Sequence, residues 1–379
     1  MIKKPAVSVI IPAWNASPYL HQCLDSVISQ TLTDIEIICV DDGSTDDTSD
    51  ILCEYAEKDT RISVIRQENR GAGAARNNAL KYAKGKYLSF LDADDFFEPE
   101  MLEKSFEAAE KHGADVVVFG CDFYSESSGR FRSCPNSINR LILPPGEIFS
   151  LKDIRKDAFR LFFGWAWDKL IRTDLVLENS LTFQEQRTTN DMLFVFSALV
   201  LSERINVLSE LLAHHRRVKT SLSVTREASW DCFFNALIAL KKQLLALGLF
   251  PRFEQDYINY ALHFSLWHLN SLKEPAYSCL YRKMRSEWFD SIGICTYPPE
   301  KFYNRHEYRM FRKIYCGDSE NGRSGLVTKW ADGSIIQRAI KGIHDNGIKY
   351  TVEYMILTVL NKRSLGNQSK ETREKGNLQ

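Results

Sequence analysis

The first 125 residues alternate between two hydrophobic periods, and this alternation constrains the fold more than any other feature of the chain. Residues 7–11 (Val7-Ser8-Val9-Ile10-Ile11) form a short apolar run rich in β-branched side chains. Ser17-Pro18 reads as an N-cap followed by Pro at the first helical position. Leu20, Leu24, Val27 and Ile28 then recur at helical spacing. Residues 35–40 are continuous enough in Ile, Val and Cys to be a strand buried on both faces. The spacing predicts a helix over 46–56, a strand over 62–65, a helix over 74–83 and a strand over 87–91. Pro99 opens a further helix to about residue 112, and 114–119 is a fifth strand. Strands alternating with helices of this length imply an α/β fold built of βαβ units around a largely parallel sheet. Ligands of such sheets sit at the carboxyl ends of the strands.

The remaining segments are more varied. Residues 125–146 are polar and punctuated by Pro and Gly, as in a loop. Residues 153–163 read as a helix, 165–171 as a mixed aromatic stretch, 190–201 as an apolar helix and 208–217 as a last strand. Beyond residue 229 long helical stretches (230–247, 253–272) appear without strand alternation. The expected organisation is an α/β domain over 1–225, a mainly α-helical domain over 226–363 and a disordered tail over 364–379. Lys+Arg and Asp+Glu both number 49, and this neutral balance argues against a dedicated nucleic-acid binder. No stretch approaches the roughly 18 apolar residues of a membrane span, and the apolar N-terminal run meets Pro12 too soon for a signal peptide. Nine cysteines show no CxxC pair, and several (Cys23, Cys39, Cys53) fall in apolar periodic segments. Reduced, buried thiols in a cytoplasmic protein are expected.

Each of the first four strands ends in a polar cluster. These are Pro12-Ala13-Trp14-Asn15, Asp41-Asp42-Gly43-Ser44-Thr45-Asp46, Asn69-Arg70-Gly71-Ala72-Gly73-Ala74-Ala75-Arg76-Asn77 and Asp92-Ala93-Asp94-Asp95. Singly, they read equally well as turns and helix caps. Together they would converge on one crevice. Three carboxylates in one loop repel one another unless a cation neutralises them, and Mg²⁺ or Mn²⁺ suits such hard oxygen ligands. An ion of this kind usually shares its coordination with substrate phosphates, so a nucleotide diphosphate is the natural partner. The Gly-rich cluster is not a dinucleotide fingerprint, because Arg76 occupies its last position and it follows the third strand.

These clusters, with Gly85-Lys86-Tyr87-Leu88-Ser89-Phe90-Leu91 before the last, make residues 7–120 resemble the nucleotide-sugar-binding half of family 2 glycosyltransferases. Those are inverting enzymes of the GT-A fold, and Trp14 stands where Tyr is more usual. The resemblance implies that 1–124 holds the nucleotide sugar and 125–225 the acceptor. Pro12, Ala13 and Trp14 would line the base pocket and Asp42 would hold the pyrimidine edge. Asn69 and Arg76 would lie beside the nucleotide, Asp92 and Ala93 beside the ribose, and Asp94 would hold the metal bridging the phosphates. Trp165-Ala166-Trp167-Asp168-Lys169-Leu170 resembles the family's Trp-x-Lys-Leu segment. The acidic pair expected about twenty residues later reads Asn190-Asp191, so Asp191 stands as the catalytic base and Asn190 replaces the usual Glu. Asp191 reads also as a helix cap. Trp165 and Trp167 are either an acceptor platform or core. Ala213-His214-His215-Arg216-Arg217 matches the family's closing strand, where His215 would complete the metal shell and Arg216 would hold the pyrophosphate.

The expected function is transfer of one sugar from a nucleotide diphosphate sugar, UDP-linked for preference, to a glycan or lipid-linked oligosaccharide of a bacterial surface polysaccharide. A sugar nucleotidyltransferase and a non-catalytic nucleotide-sugar-binding subunit are the alternatives. Pro12-Ala13-Trp14-Asn15, in place of a Gly-rich first loop with Arg, argues against the former, and intact Asp92, Asp94 and Asp191 against the latter. Residues 323–363 carry seven basic and three acidic residues, with Ile335, Ile336, Ala339, Ile340 and Ile343 on one helical face. They read either as a basic amphipathic segment for an anionic membrane surface, making the protein peripheral at the inner face of the membrane, or as a packing helix.

Overall fold

The computed structural model describes residues 4–218 and 226–317. The expectations for the basic segment 323–363 and for the tail 364–379 lie outside the described residues. In chain order the elements are β1 (Val7–Ala13), α1 (Ser17–Ile28), β2 (Ile35–Asp41), α2 (Thr48–Lys58), β3 (Ile62–Arg66), α3 (Ala72–Leu80) and β4 (Tyr87–Phe90). Next come β5 (Phe96–Phe97), α4 (Met101–His112), β6 (Val116–Ser125), β7 (Arg130–Ser133), β8 (Lys169–Arg172), α5 (Thr173–Glu178), α6 (Met192–Leu201) and β9 (Ile205–Arg217). Helices α7 (Cys232–Ala246), α8 (Phe250–Ser271), α9 (Ala276–Lys283), α10 (Phe289–Ile292) and α11 (Arg305–Cys316) follow.

The strands form one sheet in the order β3-β2-β1-β4-β8-β6-β9-β5, with β7 paired to β6. Strands β1 to β4 are mutually parallel, as the βαβ pattern requires. Strand β8 runs antiparallel to both β4 and β6, so the sheet is mixed rather than wholly parallel. Side chains on β1 alternate between faces. Val7, Val9 and Ile11 join a core with Leu20, Leu24 and Val27 of α1 and Leu102 of α4. Ile10 joins the opposite core, which holds Ala75 and Ala79 of α3 and Phe194 of α6. That second core continues without a break into Leu237, Leu240, Tyr257, Leu262, Phe289 and Phe311 of the C-terminal helices.

Several local expectations change. Ala16, not Ser17, precedes α1, and the caps come from the next loop. Thr48 Oγ1 accepts from the Ala16 N–H and Asp46 from the Ser17 N–H. Asp46 also accepts from the Thr48 N–H, and these bonds hold it below the usual carboxylate range despite partial burial. The helix expected over 153–163 is two single 3₁₀ turns, Leu151–Asp153 and Ala158–Arg160. Asp153 is engaged in a capping box with Ser150, and Asp157 at φ 62° interrupts helical geometry. The polar stretch after residue 125 contains β7, which completes a hairpin with β6. All nine cysteines are free, and Cys23 and Cys39 are buried, but Cys53 lies on the exposed side of α2.

Candidate active site

The four polar clusters do meet. Ala13 of β1 registers with Asp41 of β2, and Asp41 with Arg66 of β3, so these strands end side by side. The Leu91 N–H donates to the Ile10 carbonyl, bringing the fourth loop beside the first. Pro12 and Ala13 are buried within β1, whereas Trp14 projects from its end, half-exposed. Asn15 holds the neighbouring loop by accepting from the Thr45 N–H at 2.8 Å. Asp42 is buried and committed internally. It accepts from Gln67 Nε2 (2.8 Å), the Arg70 N–H (2.9 Å) and the Gly71 N–H (2.7 Å), fixing the approach to α3. Asn69, between them, is exposed.

The carboxylates of Asp92, Asp94 and Asp95 lie within 4.8 Å of one another. Burial, then Asp95 and Asp92, pushes Asp94 up to about 7. Such a cluster of hard oxygen donors fits Mg²⁺ or Mn²⁺. Asp95, absent from the expected ligands, is fully buried and accepts from the Arg216 N–H at 2.8 Å. His215 differs from its expected role. Its Nδ1 faces both oxygens of Asp95 at 3.0–3.1 Å, and its ring stacks on Trp167 at 5.2 Å. Burial opposes charge on this ring, but Asp95, Asp94 and Asp92 outweigh it and push it up to about 9. His215 is thus a counter-charge behind the acids and lies outside the donor cluster. Arg216 differs too. It is only 2% exposed, and its guanidinium donates to the Asp94 carbonyl, Glu126 and Gln22. These three bonds tie Arg216 to the acidic loop and to its surroundings.

Arg76, 4% exposed, links this cluster to the loop before α6. It donates to Asp92 at 2.5 Å and to Asn190 Oδ1 at 2.9 Å. Asp191 follows, immediately before α6, yet its side chain makes no capping bond to that helix. Burial raises it to about 6, with Arg76 pulling it down and Asp92 pushing it up. The two tryptophans part company. Trp167 is buried at 3% exposure, and Trp165 stacks over it at 4.8 Å, only partly buried. Trp167 is therefore core, and Trp165 is the one of the pair that keeps exposed surface. Fully buried Lys169 sets the turn between them. Its Nζ donates to the Phe163 and Trp165 carbonyls and to the buried Asp168 carboxylate.

A mixed, mostly parallel sheet thus carries an acidic, metal-competent loop at its strand ends and, before α6, a carboxylate that does not cap its helix. The family model described as "Glycosyl transferase family 2" matches residues 8–176. The chain is 30% identical over 237 residues to the glycosyltransferase GlyG of Streptococcus pneumoniae, covering 59% of this chain and 75% of GlyG. The chain belongs to glycosyltransferase family 2. It is also 38% identical over 222 residues to the uncharacterized glycosyltransferase EpsJ of Bacillus subtilis, covering 58% of this chain and 63% of EpsJ. Among solved structures, residues 1–349 of S. aureus TarS in complex with UDP-GlcNAc share the fold. The TM-score is 0.53 at 22% identity, over 82% of this chain and 91% of that one.

Proposed function

We propose that this chain transfers a single sugar, with inversion, from a UDP-linked donor to a hydroxyl of a glycan or lipid-linked oligosaccharide in surface polysaccharide synthesis. The observation that carries the reading is the Asp92–Asp94–Asp95 cluster joined through Arg76 and Asn190 to Asp191, whose carboxylate is free of its helix. Trp14 offers its exposed ring to the base, with Pro12, Ala13 and Asp42 shaping the wall behind it and Asn69 at the rim. Asp92, held by Arg76 and followed by buried Ala93, would meet the ribose. Asp92, Asp94 and Asp95 would hold Mn²⁺ or Mg²⁺, which when bound supplies charge neutralisation to a departing diphosphate. Trp165, only partly buried, would stack an acceptor sugar.

Asp191 takes the proton of the acceptor hydroxyl. The oxygen attacks the anomeric carbon from the side opposite the diphosphate, and the anomeric C–O bond breaks with its electron pair leaving on UDP. One carboxylate suffices, because the nucleophile is the acceptor itself and no glycosyl-enzyme bond forms. TarS, which shares the fold, is seen with UDP-GlcNAc, and this is the first donor to offer.

A panel of UDP-sugars, assayed for UDP release with and without Mn²⁺, tests the reading. Release that depends on Mn²⁺ and is lost in Asp94→Asn is expected. Release of pyrophosphate, or Asp94→Asn protein whose metal-dependent UDP affinity equals wild type by calorimetry, contradicts it.

A further inference from the structure

Residues 183–190 have no regular secondary structure, and Thr189 among them sits at φ 57°, a left-handed conformation costly for a β-branched residue. Such a segment has no ladder to satisfy its backbone polar groups, so something else must hold it. Helix α3 and the turn before it do so along its length. Arg70 pairs with Glu185 at 2.6 Å. Gly73 packs against the Gln184 carbonyl so closely that a Cβ there would lie 2.1 Å from the oxygen. Asn77 donates to the Phe183 carbonyl at 2.9 Å and accepts from the Phe183 N–H at 2.8 Å, as a neighbouring strand would. Arg76 lies over the Phe183 ring at 5.2 Å and donates to Asn190 Oδ1 at 2.9 Å. On the other side, Gln186 Nε2 donates to the Thr188, Thr189 and Cys232 carbonyls.

We infer that residues 70–77 are a clamp for the loop that carries Asp191, and that Asn190 is the positioning residue through which Arg76 sets that loop against the donor crevice. The inference rests on the role proposed for Asp191 and adds how that carboxylate is aimed. The Gly-rich cluster then serves both halves of the site. One face of α3 reaches Asp92 through Arg76, and the same guanidinium reaches the loop one residue before the base. The contact with Arg76 uses Oδ1 of Asn190, which Asp keeps and Ala removes, whereas the long Nδ2 bond to the Gln186 carbonyl (3.4 Å) is lost in both.

The test uses full-length Asn190→Ala, Asn190→Asp and Asn77→Ala. Hydrogen–deuterium exchange over residues 183–192 reads the clamp, calorimetry with UDP and Mn²⁺ reads the donor site, and UDP release from the best UDP-sugar reads turnover. Both Ala variants are expected to exchange faster over this segment and to release UDP about 10- to 100-fold more slowly, the range for misplacing a catalytic group. Their UDP affinity should stay at the wild-type value, and Asn190→Asp should recover protection and turnover. Unchanged exchange in Asn190→Ala, or equal losses in Asn190→Ala and Asn190→Asp, overturns the inference. A wild-type enzyme that releases no UDP from any UDP-sugar overturns the proposed function instead, and exchange alone then decides the clamp.

Discussion

Asp191 differs from the acids around it in what its carboxylate is not doing. Asp42 and Asp95 accept several internal hydrogen bonds each, and Asp92 is held by Arg76. Asp191 stands at a helix start without capping it, and burial lifts it to about 6. A base raised this far removes a proton more readily and is still ionised near neutrality. Turnover at saturating donor should therefore fall about tenfold per unit as pH drops below about 6, and level off above it. UDP release measured against pH checks this, and a flat profile through that range would count against Asp191 as the base. The motif residues were legible in the sequence because each strand end carried its own polar cluster. Their division of labour was not. His215 and Arg216 were expected at the ligand, yet His215 faces Asp95 and Arg216 is buried against the Asp94 carbonyl, while Trp167, which read as platform or core, is core. Strand β9 alternates faces, and which face meets the crevice depends on pairing with β6, about 90 residues earlier. Likewise the Arg76–Asn190 bond spans 114 residues.

At the scale of elements, β1 to β4 and their helices follow from local periodicity, since buried parallel strands announce themselves as apolar runs. What escaped were features set by partners. The two residues of β5 are a strand only because Phe96 and Phe97 pair with β9. The direction of β8 is fixed by β4 and β6 on either side. The long helices α7 and α8 were legible, but one buried group between them was not. His268 on α8 stacks on Phe233 of α7 at 4.2 Å, and burial, helped by nearby Arg226, pushes it down to about 3. Its ordinary value is 6.5. Between these limits the unfolded chain binds a proton that the folded chain does not, so stability rises with pH across that window. It is lost progressively as pH falls below about 6.5, with a slope of at most about 1.4 kcal/mol per pH unit for one proton. Urea unfolding at several pH values should show this slope reduced in His268→Phe. An identical slope in the variant would show that the helix pair does not hold His268 neutral.

Across the whole molecule, one apolar core runs from the sheet through α6 into α7–α11. The C-terminal helices therefore buttress the segment that carries Asp191, and Gln186 reaches Cys232 of α7 directly. Among the described residues no helix is long and apolar enough to cross a membrane. Independently of that, the seven basic residues of 323–363 are proposed to meet an anionic membrane surface. Each contributes about 1 kcal/mol near an anionic leaflet. Full-length protein should co-sediment with anionic vesicles at moderate salt, and replacing those seven residues with Gln should abolish it. Equal binding by both proteins would contradict this membrane role. The account as a whole turns on one carboxylate, and the comparison of wild type with Asp191→Asn addresses it most directly. UDP-sugar affinity measured by calorimetry should be unchanged, while turnover should fall by about two to four orders of magnitude, the range for losing a general base. Near-normal turnover in Asp191→Asn, or a loss explained wholly by weaker donor binding, would contradict the account.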